Sequence, residues 1–257
     1  MRRAPIPEPS SRWPSPGAAC PPTRGRGHRG TRGASLLVWG LSLVGAAAAP
    51  SAARAQGLAG PALQRPTVSE REYVAALVGG GGTALLLQWR EGWAGSRAGG
   101  AIRTHLVLEG GLADTPGGSA PRPFVGAGVA QTLVRASADQ PLDAVWTAGA
   151  GVTWVEGGQL VRVPVGVSVG HTFALRDGAV VTPFAHPRLQ GESLSCGARA
   201  CGESRGALSL AFDLGVDAQV TPAFGLRAAV LFSGGGTLRA GDRVAIGAHW
   251  TPPGLTR

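Results

Sequence analysis

The chain has 257 residues, 44% of them hydrophobic and only 5% aromatic, and its formal net charge is +9. This length accommodates one or two domains, and three cysteines are too few for a disulfide-dense mini-protein. Eight of the 24 basic residues and one of the 15 acidic residues precede Gln56, so the rest of the chain is close to neutral. This distribution argues against a nucleic-acid-binding protein, which carries its positive charge as a patch on the folded domain.

The N-terminal segment has the features of a secretory signal peptide. A positively charged flank at residues 31–33 precedes an apolar run at 34–49, and the small residues Ala53 and Ala55 form a cleavage motif. The apolar run is short for a retained transmembrane helix. We therefore predict that residues 1–55 are a leader, cleaved after Ala55, and that the mature protein is exported.

Residues 56–71 connect this leader to the patterned part of the chain. They are rich in glycine, proline and small residues and show no sustained apolar periodicity, which predicts a flexible lead-in. At the other end, residues 251–257 are expected to form a short tail after the last patterned segment.

Residues 72–250 are dominated by apolar and polar residues that alternate with a period of two. The clearest example is 207–220, where Leu208 and Leu210 begin an apolar face and small or polar residues take the other. No segment shows a sustained helical stripe, so the fold class is all-β. The other segments with the strand pattern, some less regular, are 101–112, 123–134, 143–154, 160–173, 180–189, 224–232 and 243–250.

Two earlier segments, 72–78 and 83–91, fit a hairpin closed by the glycines at 79–82. The alternative is a short helix at 71–78 that precedes an eight-stranded structure. Leu85, Leu87 and Trp89 alternate with polar residues, which favours the hairpin. We therefore expect eight to ten antiparallel strands, with ten favoured over eight.

The two faces of these strands indicate a membrane barrel. One face is continuously aliphatic, while the other is small or polar, as in transmembrane strands of about 9–11 residues whose apolar band faces lipid. The alternative is a soluble periplasmic barrel that would turn its aliphatic faces inward around a small ligand.

Aromatic residues are spaced as expected for the two membrane interfaces. Trp146 and Trp154 lie eight residues apart on one face, as do Phe224 and Phe232, and Trp250 ends the last strand. Eight tilted residues rise by roughly 20 Å along the membrane normal, close to the separation of the aromatic belts.

Charged residues on the polar faces are expected to point into the lumen. In a barrel of eight to ten strands, opposite charges would pair and plug the interior rather than line a wide channel. The predicted lumen charge network comprises Arg103, Glu109, Arg162, Asp213, Asp217, Arg227 and Arg243.

Connection lengths predict the orientation. Most of the long connections alternate with short ones, and the long ones fall outside the cell if both termini are periplasmic. Cys196 and Cys201 lie in the longest connection, at 190–206, and are predicted to form a small disulfide loop, with free thiols as the alternative.

With these features the mature chain resembles the small outer-membrane β-barrels of the OmpA/OmpX type. The resemblance covers about residues 73–250 and implies an antiparallel up-and-down transmembrane β-barrel in the outer membrane of a Gram-negative bacterium. It also implies contact with outer-membrane lipid and with the barrel-assembly machinery, which reads an aromatic residue at the end of the chain. Trp250 could serve as that residue, but residues 251–257 after it depart from the pattern.

The sequence contains no pattern that predicts a catalytic, cofactor or metal site. It lacks a G-x-S-x-G elbow, an H-E-x-x-H motif and paired C-x-x-C motifs. We therefore predict a non-enzymatic envelope protein with a structural or surface-interaction role and an unknown surface ligand. A narrow pore and an outer-membrane lipid-modifying enzyme remain alternatives. The residues behind the enzyme alternative are His105, His171, His186, His249, Ser168 and Ser209.

Overall fold

The computed structural model describes residues 62–80, 82–114, 120–175, 178–196, 205–234 and 241–252. The predicted leader, its cleavage site after Ala55 and Cys201 lie outside the described residues, as does most of the predicted tail. Among the residues described, no helix has the length and apolar character needed to cross a membrane.

The described chain is almost entirely β-structure, and most strands begin and end close to the alternating segments of the sequence. The exception is the strand predicted at 180–189, which continues to Cys196, so the connection predicted at 190–206 is shortened to 197–204. Within the residues described, the only helical element is a single 3-10 turn, Ala94–Ser96. The strands are β1 Arg71–Gly79, β2 Ala84–Gly92, β3 Thr104–Ala113, β4 Arg122–Val134, β5 Asp143–Val155, β6 Gly158–Gly170, β7 Phe173–Ala174, β8 Val180–Cys196, β9 Arg205–Gln219, β10 Phe224–Ser233 and β11 Arg243–Trp250.

Ten of these strands close into a ring. Each long strand pairs antiparallel with its sequence neighbour, β6 pairs with β8 across the two-residue β7, and β1 pairs with β11, for example Ala75 with Ala248. The up-and-down fold is therefore confirmed with ten strands, and β1–β2 is the hairpin favoured by the sequence.

The outer wall of the ring is aliphatic. Leu77, Leu208, Leu210 and Ile246 are each at least 60% exposed, whereas the residues that alternate with outward side chains point inward and are mostly buried. The soluble alternative, with aliphatic faces inside, is therefore wrong. A wall of this composition suits contact with lipid. Closure of the ring also suits a membrane, because it leaves no strand edge with unpaired backbone groups.

The described part of the predicted lead-in is enclosed by the strands. Residues 62–70, which we call the lumen segment, lie inside the ring, and Ala62, Leu63 and Gln64 are at most 1% exposed. An eight-stranded barrel is just wide enough for side chains to fill its interior, and the diameter grows with strand number. The two additional strands therefore leave room that the chain fills with its own N-terminal segment.

The prediction for Arg103 was wrong. Arg103 lies before β3 and is exposed, while its neighbour Ile102 is buried. A turn closed by the Ala98–Ala101 bridge precedes them, and both Thr104 and His105 are buried, so regular alternation begins only at His105. Alternation does not reach Arg103, because β3 begins only at Thr104.

The lengths of the connections differ less between the two ends of the barrel than the sequence suggested. We call the end where β1 begins and β11 ends the terminal mouth, and the other end the far mouth. The longest connections are 93–103 at the terminal mouth and 234–242 at the far mouth, which are similar in length. The β2–β3 connection, not counted in the sequence argument, removes much of the expected asymmetry.

Candidate functional site: the filled lumen

Charged side chains of opposite sign meet in the lumen near the terminal mouth. Glu72 and Arg90 are register partners on β1 and β2, and Asp217 and Arg227 are register partners on β9 and β10. The antiparallel ladder therefore brings each carboxylate beside a guanidinium. Arg227 joins the two pairs, with Nη2 2.7 Å from Glu72 Oε1 and Nε 2.9 Å from Asp217 Oδ1. We name the charged group at this level the base cluster: Arg65, Glu72, Arg90, Glu109, Asp217 and Arg227.

Two members of the base cluster come from other parts of the chain. Arg65, from the lumen segment, places Nη1 3.5 Å from Asp217 Oδ2. Glu109 joins through Gln88, whose Nε2 donates to Glu109 Oε2 at 2.9 Å and whose Oε1 accepts from Arg90 Nη2 at 2.9 Å. The cluster thus balances three carboxylates with three guanidiniums, and the lumen segment supplies one of the three. Such balance is what makes buried charge tolerable.

Two histidines border the base cluster. His249 Nε2 lies 3.1 Å from Asp217 Oδ1, and His105 Nδ1 accepts a hydrogen bond from the backbone N–H of Ser69 at 3.0 Å. Both rings are buried. These contacts tie β3 and β11 to the cluster and to the lumen segment.

A second charged group lies nearer the far mouth, and we call it the far cluster. Arg162 Nε is 3.0 Å from Glu192 Oε1, and these residues are register partners on β6 and β8. Arg188 Nη2 is 2.5 Å from Asp213 Oδ1. Arg243 on β11 is buried with them and completes the far cluster. Opposite charges therefore pair at both levels of the lumen.

Three side chains in the lumen are arranged in the order of a nucleophile, a base and an orienting acid. Thr147 Oγ1 lies 3.0 Å from His186 Nε2, and His186 Nδ1 lies 3.5 Å from Asp213 Oδ2. Gly166 stands between Thr147 and His186 on β6, and a Cβ there would come within 3.1 Å of His186 Nε2. The three functional side chains are at most 1% exposed, so a substrate has no access to the hydroxyl in this conformation.

The lumen segment is held mainly through its own carbonyl oxygens. Leu63 O accepts from Arg90 Nη2 at 3.1 Å and from Arg227 Nη1 at 3.0 Å. The hydroxyl of Ser168, a candidate nucleophile in the sequence, donates to Gln64 O at 2.6 Å. Ser168 therefore fixes the segment and is not paired with a histidine by any contact described here.

Most of the charged residues predicted to face the lumen lie inside the ring. There they pair with charged residues that were not among those predicted. Arg103 is the exception described above. Buried inside are Glu109, Arg162, Asp213, Asp217, Arg227 and Arg243. The additional charged residues of the two clusters are Arg65, Glu72, Arg90, Arg188 and Glu192.

The additional charged residues of the two clusters differ in how clearly the sequence pattern marks them as inward. Glu72 and Arg90 lie on the inward parity of the predicted β1–β2 hairpin, so that pattern could have identified them. Arg188 and Glu192 lie on β8, where Pro183 and Pro187 obscure the alternation. Arg65 carries no strand pattern at all and could be found only from the folded lumen.

Aromatic side chains form a row on the outer wall near the terminal mouth. Phe224, Trp250, Tyr73 and Trp89 are successive register partners on four neighbouring strands. The rings of Tyr73 and Trp250 stack, with centroids 5.5 Å apart. An open groove of about 570 Å³ runs along this row above small residues such as Ala75. The row has the position of an interfacial aromatic belt.

The other predicted interfacial residues also face outward. Trp146 lies near the terminal mouth and donates from Nε1 to Gln131 Oε1, while Trp154 lies near the far mouth. Phe232 lies at the far end of β10, beside Phe212. In each spaced pair, one aromatic residue therefore lies towards the terminal mouth and the other towards the far mouth.

Within the described part of the chain, no group of three or more His, Cys, Asp or Glu residues is arranged to hold a metal ion. Cys196 ends β8, but its predicted partner Cys201 lies outside the described residues. The disulfide therefore stays a prediction.

Several solved outer-membrane proteins are similar to this chain in structure. The β domain of the Bordetella autotransporter BrkA is 14% identical, with 71% of this chain and 98% of that one covered and a TM-score of 0.43. LpxR from Salmonella typhimurium is 10% identical, with coverages of 80% and 86% and a TM-score of 0.38. Ail, the attachment invasion locus protein of Yersinia pestis, is 12% identical, with coverages of 71% and 99% and a TM-score of 0.25. No protein-family model and no curated protein matches the chain.

Because these identities and scores are low, the assignment depends on the molecule's own geometry. A closed antiparallel ring, an aliphatic outer wall with an aromatic row and a charged interior are together the features of a strand-built membrane protein. The protein is therefore a closed, ten-stranded antiparallel β-barrel with the outer wall of a membrane protein.

Proposed function

We propose that this protein is a non-conducting, non-enzymatic outer-membrane barrel with a structural or surface-interaction role. The observation that carries the proposal is the filled lumen. All charged residues of both clusters except Arg65 are buried, and the lumen segment occupies part of the interior with Leu63 fully buried. Such an interior favours a rigid support for the loops over a path for solutes.

In this proposal both termini face the periplasm, and the far mouth is at the cell surface. The connections 114–121, 197–204 and 234–242 would then carry any specific interaction, with Cys196 and Cys201 stabilising one of them as a disulfide. The leader would direct export and be cleaved after Ala55, and the barrel-assembly machinery would insert the strands next to outer-membrane lipid.

Conductance tests the filled lumen most directly. Full-length mature protein, refolded and reconstituted in a planar lipid bilayer, should give no discrete current steps. Its folded state can be checked by the shift in gel migration between unheated and boiled samples. Stable steps from correctly folded protein would replace this proposal with the narrow-pore alternative.

The surface role needs a cellular test. An epitope inserted in connection 114–121 should be detected on intact cells, whereas the same epitope in connection 135–142 should be detected only after the outer membrane is opened. Deletion of the protein should change envelope permeability, lipid composition or surface binding. Normal behaviour in all three assays would contradict a structural or surface role.

One contact favours a second candidate function, hydrolysis or transfer of an acyl group. Thr147, His186 and Asp213 have the order required of a nucleophile, a base and an orienting acid. This candidate requires the lumen to open, because all three side chains are buried. Purified protein incubated with outer-membrane lipid should then release or transfer acyl chains, and His186→Ala should abolish that activity without loss of the folded barrel.

A further inference from the structure

The lumen segment is held through its backbone, in the way that proteins bind a short peptide. Its residues 62–69 make no backbone-to-backbone hydrogen bond with the sheet within the described part of the chain. Instead, side chains from three strands donate to its successive carbonyl oxygens. These bonds run from Gln88 to Ala62 O at 2.9 Å, from Arg90 and Arg227 to Leu63 O, and from Ser168 to Gln64 O.

Two side chains of the segment add selectivity to these backbone contacts. Leu63 is fully buried in an apolar layer that includes Leu86, Phe124 and Phe184. Arg65, two residues later, supplies the third guanidinium of the base cluster. An apolar residue followed two positions later by a cation therefore satisfies both the apolar layer and the charge balance.

The backbone of the segment shows that its surroundings determine its conformation. Leu63 has φ of +52°, a left-handed conformation that residues with a Cβ rarely adopt. Such a conformation costs free energy and persists only where surrounding contacts compensate for it. The contacts of Leu63 with β2 and β10 provide that compensation.

From these observations we infer that the lumen is a binding site for a short peptide, occupied in this structure by residues 62–66 of the same chain. The ligand class is a peptide with an apolar residue and, two positions later, an arginine. Displacement of the lumen segment opens a water-filled path through the ring. This inference concerns the lumen and is independent of any role of the surface loops.

The first test weakens the segment in the full mature chain while leaving every strand unchanged. The double substitution Leu63→Asp with Arg65→Glu removes the apolar anchor and reverses the charge offered to Glu72 and Asp217. The matched control, Leu142→Asp with Arg103→Glu, makes the same changes at exposed positions near the terminal mouth. All proteins are first checked for a heat-dependent gel shift and then measured in planar bilayers.

We expect the control to give no current steps and the Leu63→Asp, Arg65→Glu variant to give discrete steps. A synthetic peptide with the sequence of residues 60–70, added at micromolar concentration, should close the variant, whereas the same peptide with Arg65→Glu should not. A folded variant that stays silent, or a conducting variant that the natural peptide does not close, would overturn the inference.

A second measurement uses the unweakened segment and applies even if the double variant does not fold. In a Cys196→Ser, Cys201→Ser background, Gln64→Cys reports on displacement through its reaction with a water-soluble maleimide, and Ala138→Cys in an exposed connection is the control. Labelling at position 64 should be at least about tenfold slower than at 138, because it requires a local opening.

Peptide 60–70 should accelerate labelling at position 64 and leave position 138 unchanged. Millimolar peptide is required, since the tethered segment has a high effective concentration. Equal labelling at both positions, or no response to the peptide, would overturn the inference. If neither the full-length chain nor the folded double variant gives current steps, the inference is overturned but the proposed non-conducting role stands. Current steps from the full-length chain would instead contradict the non-conducting role.

Discussion

The outer wall and the lumen of this barrel are stabilised in different ways. The wall repeats one simple contact, an aliphatic side chain against lipid, at many positions such as Leu108, Val165 and Leu210. The lumen uses few residues, and each has several partners, as Glu72 has in Arg90 and Arg227. Loss of a wall residue therefore has a local effect, whereas loss of a lumen carboxylate leaves several buried cations without compensation.

The largest expected effect is at the centre of the base cluster. Glu72→Gln keeps the size of the side chain but removes the charge between Arg90 and Arg227. We expect a loss of about 3–5 kcal/mol in the free energy of unfolding, as for a buried ion pair that loses one partner. Urea titration in lipid vesicles, followed by the heat-dependent gel shift, measures this loss.

The matched control for this prediction is Glu91→Gln. Glu91 also pairs with an arginine, Arg71, at 2.7 Å, but both side chains are partly exposed at the end of the β1–β2 hairpin. Exposed pairs contribute little, so this variant should unfold close to the wild type. Equal destabilisation by the two substitutions would show that the lumen has no special role.

A charge on the wall should have the next largest effect. Val165 lies near the middle of β6 with its side chain outward. Val165→Arg should cost about 2–4 kcal/mol, the range for a cation at the bilayer midplane of a membrane barrel. The same urea titration applies, with Ala138→Arg in an exposed connection as the control. If Val165→Arg is as harmless as Ala138→Arg, this part of the wall does not face lipid.

The wall and the lumen also differ in what the sequence reveals. The alternation of Leu208, Leu210 and their neighbours predicts strand, ring and outward face, because a period of two is a local property of the chain. The prediction fails where that local rule stops, as at Arg103, and it weakens where proline interrupts it, as along β8 before Arg188.

The lumen contacts are harder to predict because they join distant residues. Asp217 and Arg227 are close in the sequence, and their inward parity predicts a pair. Arg65 meets Asp217 only because the chain turns back into the ring, and no local pattern marks a segment as an internal filler. The width of a ten-stranded ring gives a physical reason to expect such a filler, but it does not identify the segment.

A glycine in the lumen should be more sensitive than one on the wall. A Cβ on Gly166 would lie 2.5 Å from Pro187 O and 2.6 Å from Arg188 Cγ, whereas a Cβ on Gly191 would find its nearest neighbour at 3.9 Å. Gly166→Ala should therefore destabilise the barrel by about 1–3 kcal/mol, as overpacking does. Gly191→Ala should be nearly neutral in the same urea titration. The opposite order would contradict the close packing between β6 and β8.

The smallest expected effect is in the aromatic row of the wall. Tyr73 and Trp250 are register partners whose rings stack, so part of their contribution depends on the presence of both rings. A double-mutant cycle with Tyr73→Leu and Trp250→Leu should give a coupling of about 0.5–1.5 kcal/mol. The control cycle pairs Tyr73→Leu with Trp154→Leu near the other mouth and should give no coupling. Equal coupling in the two cycles would mean that the rings act only through general contact with lipid. A larger value for the stacked pair would show that even the wall contains one specific contact, located where the first and last strands close the ring.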